Sequence, residues 1–289
     1  MSTSAPKPGL PELLEHALDL RAVFTDMDGT LLSPESALPA EAPRAIRRLQ
    51  ATGVRFVPTT GRVLWSVRRV FGELTDEIDV VAGNGMDVIA AGSSVRHEEY
   101  DRASVLRLLD AVRASRRHVT MVAFDEVDGS YLYEGDVDFA RARSRSLREG
   151  GVRTGSDELP DPVTKLAVVS VENATETSAE LSAGLEDVFT FAPCGEHWTD
   201  VLIRGVDKAT GIADVLRARD AGPAQAVGFG DSMNDCGMMR LLPLSVAVEN
   251  AMPGLDALCA YRIGPNRDAS VVDACLRIAE ARERAGLSA

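Results

Sequence analysis

Cysteine is scarce. The 289-residue chain holds four, at positions 194, 236, 259 and 275. None forms a CxxC pair and no histidine stands at zinc-finger spacing, so a structural zinc module is excluded and free thiols of a reducing compartment are expected. Positive charge is also short: 31 Lys and Arg stand against 44 Asp and Glu, a net charge of −13. Such a surface repels nucleic acid and anionic membranes, so neither is expected as a partner. There is no apolar run of about 18 residues, the length a membrane-spanning helix needs. The N-terminal stretch "MSTSAPKPGLPELLEH" has no apolar signal core, and a soluble cytoplasmic protein with a short N-terminal arm, residues 1–20, is expected. GxxxxGK[ST] and GxGxxG are both absent, so P-loop and dinucleotide readings lack their motif. Internal repeats and low-complexity tracts are absent too.

What is there suits a folded chain with a proper core: 45% hydrophobic and 26% charged residues over a length fitting one large domain or two modest ones. "RAVFT" reads as a strand. "EAPRAIRRLQATG" reads as a helix ended by Gly53, "VRFVPTT" as a strand, and "GRVLWSVRRVFGEL" as a helix with an apolar stripe at 63, 64, 67, 70, 71 and 74. "DVVAG" is a third strand. This alternation predicts a parallel sheet covered on both faces. The rhythm then changes: a hairpin turning at Gly92, a helix whose stripe is Leu106, Leu109 and Val112, and longer strands. It returns with "WTDVLIR", "DKATGIADVLRARDAG", "QAVGFGD" and "SVAVE". The fold expected is an α/β, Rossmann-like parallel-sheet core over 21–87 and 196–289, interrupted by an α+β cap domain over 88–195.

The chemistry-bearing residues sit just past strand ends. Asp26 and Asp28 follow the first strand in "FTDMDGT", Thr59 and Thr60 the second, Asp231 and Asp235 the strand "QAVGF", and Lys208 comes after "VLIRGVD". In a parallel sheet these ends share one rim, where such proteins bind their ligands. Four carboxylates on one rim repel each other without a cation. An all-oxygen donor set fits Mg²⁺, which binds through one or two carboxylates together with substrate phosphate. A hydroxyl and backbone N–H groups at Thr60-Gly61 suit phosphate.

In that order, "DMDGT", "TTGR", "DK" and "GDSMND" resemble the four motifs of the haloacid dehalogenase-like (HAD) phosphohydrolase superfamily. The long insert between the second and third resembles the large cap of its Cof-type subfamily, and "AGNGMDV" resembles the entry to that cap. The resemblance covers about residues 22–250 and implies a role for each matching residue. Asp26 would attack phosphorus to form an aspartyl-phosphate, and Asp28 would serve as acid and then base. Asp26, the Asp28 carbonyl, Asp231 and Asp235 would form the metal site. Thr60, Gly61, Lys208 and Asn234 would hold the phosphoryl group, Lys208 also offsetting transition-state charge. Gly29 would let the backbone turn beneath the site. Arg62 and Asn84 are candidate contacts to substrate or cap, with pairing on the helix surface the other reading for Arg62.

A second carboxyl group two residues after the nucleophile is needed when the leaving group is a poor alkoxide, which points to a phosphatase or a phosphomutase. The expected substrate is a small phosphorylated metabolite, a sugar phosphate or similar monoester. A phosphosugar mutase and a catalytically idle binding protein are the competing readings, and the individual substrate and oligomeric state stay open. Asp200, on the strand before the lysine, is expected to have a structural role near the cap hinge. His97, His118 and His197 are scattered and are not expected to bind metal, and Trp198 is expected to pack. Arg141, Arg143, Arg145 and Arg148 read as a solvated helix face. Two residues depart from the subfamily pattern: Ala209 stands where glycine is usual, and Met86, near the cap entrance, replaces a small residue and is expected to reshape the substrate pocket.

Overall fold

A computed structural model describes residues 7–124, 129–133, 135–143, 151–153, 159 and 161–289. Along the chain the strands are β1 (Ala22–Thr25), β2 (Arg55–Pro58), β3 (Val80–Ala82), β4 (Asp87–Ala90), β5 (Ser93–His97), β6 (Val119–Phe124) and β7 (Gly129–Tyr133). They continue with β8 (Gly151–Arg153), β9 (Lys165–Ser170), β10 (Phe189–Pro193), β11 (Trp198–Ile203), β12 (Ala226–Gly230), β13 (Leu244–Val248) and β14 (Tyr261–Ile263). Five of them form a wholly parallel sheet in the order β14-β13-β12-β1-β2. A parallel bridge between Thr59 and Val81 carries the pairing on to β3.

The central strands are apolar throughout because both faces are covered. β1 and β12 are buried at every position, and alternate residues face opposite ways. Val23, Phe56, Val227, Phe229 and Val246 pack with the helices Ala42–Gln50 and Ser270–Arg284. Ala22, Phe24, Val57 and Ala247 pack with Ile212 and Val215 of the helix Lys208–Ala218 and with Met238 and Met239 of Cys236–Leu241. Gly53, at φ +84°, follows the end of Ala42–Gln50. The stripe of the second helix buries Val67 and Phe71.

Residues 10–20, read from the sequence as part of an arm, are packed. Leu13, Ala17 and Leu20 are buried in the first of these layers. The guanidinium of Arg282 donates to the carbonyls of Ala17 (2.9 Å), Leu18 (2.7 Å) and Thr52 (2.9 Å), tying this segment to the last helix.

A six-stranded sheet, β10-β11-β9-β6-β7-β8, is antiparallel except between β7 and β8. One face is covered by the helices Arg102–Ala114 and Ala174–Ser182. The stripe on the first is Val105, Leu108, Leu109 and Val112; Leu106 is exposed, because the i, i+3, i+4, i+7 face starts at 105. On the other face Val122, Phe124, Ala167 and Val169 pack with Val63 and Trp65 of the parallel-sheet layer.

Two segments join different sheets from those the sequence rhythm suggested. The hairpin β4–β5, turning at Ala91-Gly92, pairs with β3, and its Val88 and Ala90 are buried with Phe24 and Ile212. β11, read as a strand of the parallel core, pairs antiparallel with β9 and β10. Its apolar residues satisfy either sheet equally, so local pattern cannot choose between them. Met86, expected at the pocket, is instead buried with Tyr100 and Val206.

Candidate active site

Because β1, β2 and β12 run parallel, their C-terminal ends share one edge. Asp26 follows β1, Thr59 and Thr60 follow β2, and Asp231 follows β12. After Asp26 the chain makes a single wide turn, with Leu31 N–H donating to Asp26 O (3.3 Å) and Leu32 N–H to Met27 O (2.8 Å). Gly29 sits in it at φ +80°, and a Cβ there would overlap the Asp231 carboxylate, so only glycine fits.

Lys208 comes from a different direction, as the first residue of its helix, which Asp207 caps by accepting from Thr210 N–H at 2.8 Å. With that cap in place, Ala209 does not disturb the helix start. The Lys208 side chain is fully buried. Its Nζ donates to Asp26 Oδ1 (2.5 Å) and Asp235 Oδ1 (2.6 Å). Burial alone would lower its pKa, but Asp235 and Asp26 outweigh that and raise it, so the ammonium stays charged. Asp235 Oδ2 in turn accepts from the backbone N–H groups of Asp231 (3.0 Å) and Ser232 (3.1 Å). Asp231 Oδ1 accepts from Thr30 Oγ1 at 2.8 Å.

Asp26, Asp231 and Asp235 bring oxygens within 4.8 Å of one another. Among the described residues this is the one such group, and no histidine belongs to it. Burial holds Asp26 well above the ordinary carboxylate range, with Asp235 and Asp231 adding to the rise against the pull of Lys208. Burial, then the charge of Asp235, lifts Asp231 to about 6. One ammonium thus faces three carboxylates, a surplus of negative charge that a cation would relieve. The donor set is all oxygen, as hard divalent ions prefer. Asp26 Oδ2 has no hydrogen-bond donor among the described residues.

Asp28 is half-exposed and is not one of the three clustered carboxylates. Arg62 grips it with two parallel hydrogen bonds, Nε to Oδ2 at 2.6 Å and Nη2 to Oδ1 at 2.5 Å. This pairing was not foreseen from the sequence. Thr60 is buried, and its Oγ1 accepts from Arg62 N–H at 3.1 Å. Asn234 donates to Asn84 Oδ1 at 3.2 Å. Asn84 donates from Nδ2 to Asp200 at 2.7 Å. Asp200 also pairs with Lys165 at 3.0 Å, and Lys165 donates to Gly61 O at 2.6 Å. Lys165 had been passed over; its one signal was a lysine opening the otherwise apolar strand "KLAVVS". The histidines lie elsewhere, His97 on Asp87 and Glu99, His118 on Glu172, and His197 on Ser170 O. Arg143 stacks over Phe139, and Arg145 and Arg148 lie outside the described residues.

A family model for haloacid dehalogenase-like hydrolases matches residues 23–275. The chain belongs to that family. Within it the chain falls with the phosphatases. It is 26% identical over 258 residues to the Escherichia coli K12 protein named 5-amino-6-(5-phospho-D-ribitylamino)uracil phosphatase YbjI, covering 89% of this chain and 95% of that one. The Bacillus subtilis 168 phosphatase YcsE, named for the same substrate, is 22% identical over 260 residues, 89% of this chain and 95% of its own. Among solved structures, SMU.1108c from Streptococcus mutans UA159 superposes with a TM-score of 0.79 at 20% identity, covering 89% of this chain and 97% of that one. The subclass IIB sugar phosphatase BT4131 gives 0.73 at 19%, covering 88% and 97%. Hydrolases of this family generally use a divalent metal, and the three-carboxylate cluster is able to hold one. Among the described residues no helix is long and apolar enough to cross a membrane.

Proposed function

We propose that this protein is a Mg²⁺-dependent phosphatase that hydrolyses a small phosphorylated metabolite, a sugar phosphate or similar monoester, through an aspartyl-phosphate on Asp26. The observation that carries the reading is the state of Asp26: a buried carboxylate with one oxygen on a charged lysine and the other without a donor among the described residues. Asp26 Oδ2 attacks phosphorus in line as the bond to the leaving oxygen breaks, and Asp28 gives that oxygen a proton. Asp28 then takes a proton from the water that cleaves the acyl-phosphate. Lys208 keeps Asp26 oriented and lends its charge to the transition state. Thr60, the Gly61 backbone and Asn234 hold the phosphoryl group, and Arg62 orients Asp28. Asp26, the Asp28 carbonyl and Asp231 hold the metal, with Asp235 beside them and engaged with Lys208. When bound, Mg²⁺ offsets the charge of the phosphoryl group and of the carboxylates.

The inserted region, roughly 88–195, acts as a cap that excludes water and selects the leaving group over a core of 21–87 and 196–289. The sheet pairing supports moving both boundaries toward the C-terminus, past β5 at the first crossing and past β11 at the second. Relatives named for a ribitylamino-uracil phosphate and for sugar phosphates support a phosphorylated polyol or sugar as substrate. Those names give no support to the mutase reading. Four free cysteines suit a cytoplasmic setting.

Asp26→Asn removes the nucleophile while keeping its shape. Turnover of p-nitrophenyl phosphate should vanish with the circular dichroism spectrum unchanged, and retained turnover would refute the assignment. Chelator should silence the wild type and Mg²⁺ restore it. A panel of sugar, polyol and nucleotide phosphates then ranks the substrates.

A further inference from the structure

Asp200 is almost fully buried, and donors from three segments converge on its carboxylate. Lys165 Nζ from the start of β9 stands 3.0 Å away, Trp198 Nε1 from β11 itself 2.8 Å, and Asn84 Nδ2 from the loop after β3 2.7 Å. Two of these donors belong to the six-stranded sheet and the third to the loop at the edge of the parallel one. The carboxylate lies against Gly61, where a Cβ would come within 2.8 Å of Asp200 Oδ2 and 3.0 Å of Asn84 Nδ2. Lys165 completes a ring by donating to Gly61 O at 2.6 Å. Gly61 follows Thr60, whose carbonyl accepts from Asn84 N–H at 2.8 Å. Asn84 Oδ1 accepts from Asn234, the neighbour of Asp235, which holds Lys208. A chain of hydrogen bonds therefore runs from the cap sheet through Asp200, Asn84 and Asn234 to the segment that fixes the catalytic lysine.

We propose that Asp200 is a positioning residue: with Lys165 it latches the cap sheet onto the Thr60–Gly61 loop, and through Asn84 it sets that loop and Asn234 for phosphate. The physical basis is the cost of a buried carboxylate. Its charge must be met by partners; Lys165 and Trp198 come from its own sheet, and the third donor, Asn84, is supplied only when cap and core are together. Opening strips away Asn84 and leaves the Lys165–Asp200 pair facing the vacated loop. Closure and phosphate-site assembly thus become one event. The mechanistic half of this inference rests on the phosphatase reading; the closure half does not.

The two tryptophans of the chain report on closure, since Trp65 of the core and Trp198 of the cap pack against the same apolar cluster. In a Trp198→Phe background, Trp65 is the sole indole. Adding Asp200→Asn or Lys165→Met should raise its quenching by acrylamide in the metal-free protein, and quenching no greater than that of the Trp198→Phe background in both variants would overturn the latch. With the native tryptophans and Mg²⁺, Asp200→Asn should lower kcat/KM for a sugar phosphate by about ten- to a hundredfold, the range for misplaced site groups. The Lys165→Met/Asp200→Asn double variant should lose no more than Asp200→Asn alone, because both break one latch. Lys165→Arg should recover most of the loss seen in Lys165→Met. Additive losses, or losses that only follow a fall in Tm, would reduce Asp200 to a structural residue and sink the proposal. A wild type without phosphatase activity would refute the proposed function, while the quenching comparison would still decide the latch.

Discussion

Replacing Asp231 by asparagine removes one of three crowded negative charges without changing the shape of the side chain. In the metal-free wild type, burial and the neighbouring Asp235 raise the Asp231 pKa from 3.8 to about 6. A folded-state pKa above the unfolded value means that folding favours the protonated form. Its contribution to stability is therefore fully present below about pH 4 and is lost as pH rises through about 6. A rise of that size corresponds to about 3 kcal/mol, shared with the other carboxylates of the cluster. For a chain of this length that is roughly 6–12 °C in Tm. With chelator present, the wild type should lose this much relative to Asp231→Asn between pH 4 and 8, by thermal melts of the two proteins side by side. Adding Mg²⁺ at pH 8 should restore the wild type and leave Asp231→Asn nearly unmoved, since a cation neutralises what the proton no longer does. A wild-type-minus-variant difference that is flat in pH, or equal stabilisation of both by Mg²⁺, would refute the account of this cluster as a cation site.

Lys208→Met should act in the opposite sense. It leaves Asp26 and Asp235 buried without their ammonium, costing about 3–5 kcal/mol at pH 8 by urea titration in chelator. The loss should shrink as pH falls and Asp26, held above the ordinary carboxylate range by burial, takes up a proton, and phosphatase turnover should be lost at every pH. Gly29→Ala places a methyl group on the Asp231 carboxylate in a left-handed backbone conformation. It should destabilise the fold by about 1–3 kcal/mol and weaken stabilisation by Mg²⁺, read by melts with and without the ion.

The candidate site residues were legible because the acids, the threonines and the lysine follow apolar runs that read clearly as strands. "FTDMDGT" stands at the end of β1 and "GDSMND" at the end of β12, and strand direction alone predicted a shared edge. Asp235 and Lys208, 27 residues apart, do share a bond at that edge. Other features hung on partners that local pattern does not name. Arg62 could have served substrate, cap or helix surface, and it is its fit to Asp28 in space that decides. Residues 10–20 looked like a detached arm because Leu13, Ala17 and Leu20 are sparse, until the carbonyls they bring meet Arg282, more than 260 residues on. The helix Arg102–Ala114 was found and Leu109 and Val112 of its stripe are buried, but Leu106 stood in for Val105, since the two are similarly apolar and only the sheet beneath tells them apart.

By itself the sequence determined the chemistry on offer: two acids two residues apart after a strand, a hydroxyl and glycine after the next, and a lysine opening a helix. Spacing along a strand or helix is a short-range matter, and short-range sterics and periodicity govern it. Only the tertiary structure decided which sheet β11 joins, where Asp28 points, and that Lys165, Asp200 and Asn84 meet at Gly61. Those choices depend on burying charge among partners distant in the chain. The energy of a buried carboxylate is set by what surrounds it, not by its neighbours in sequence.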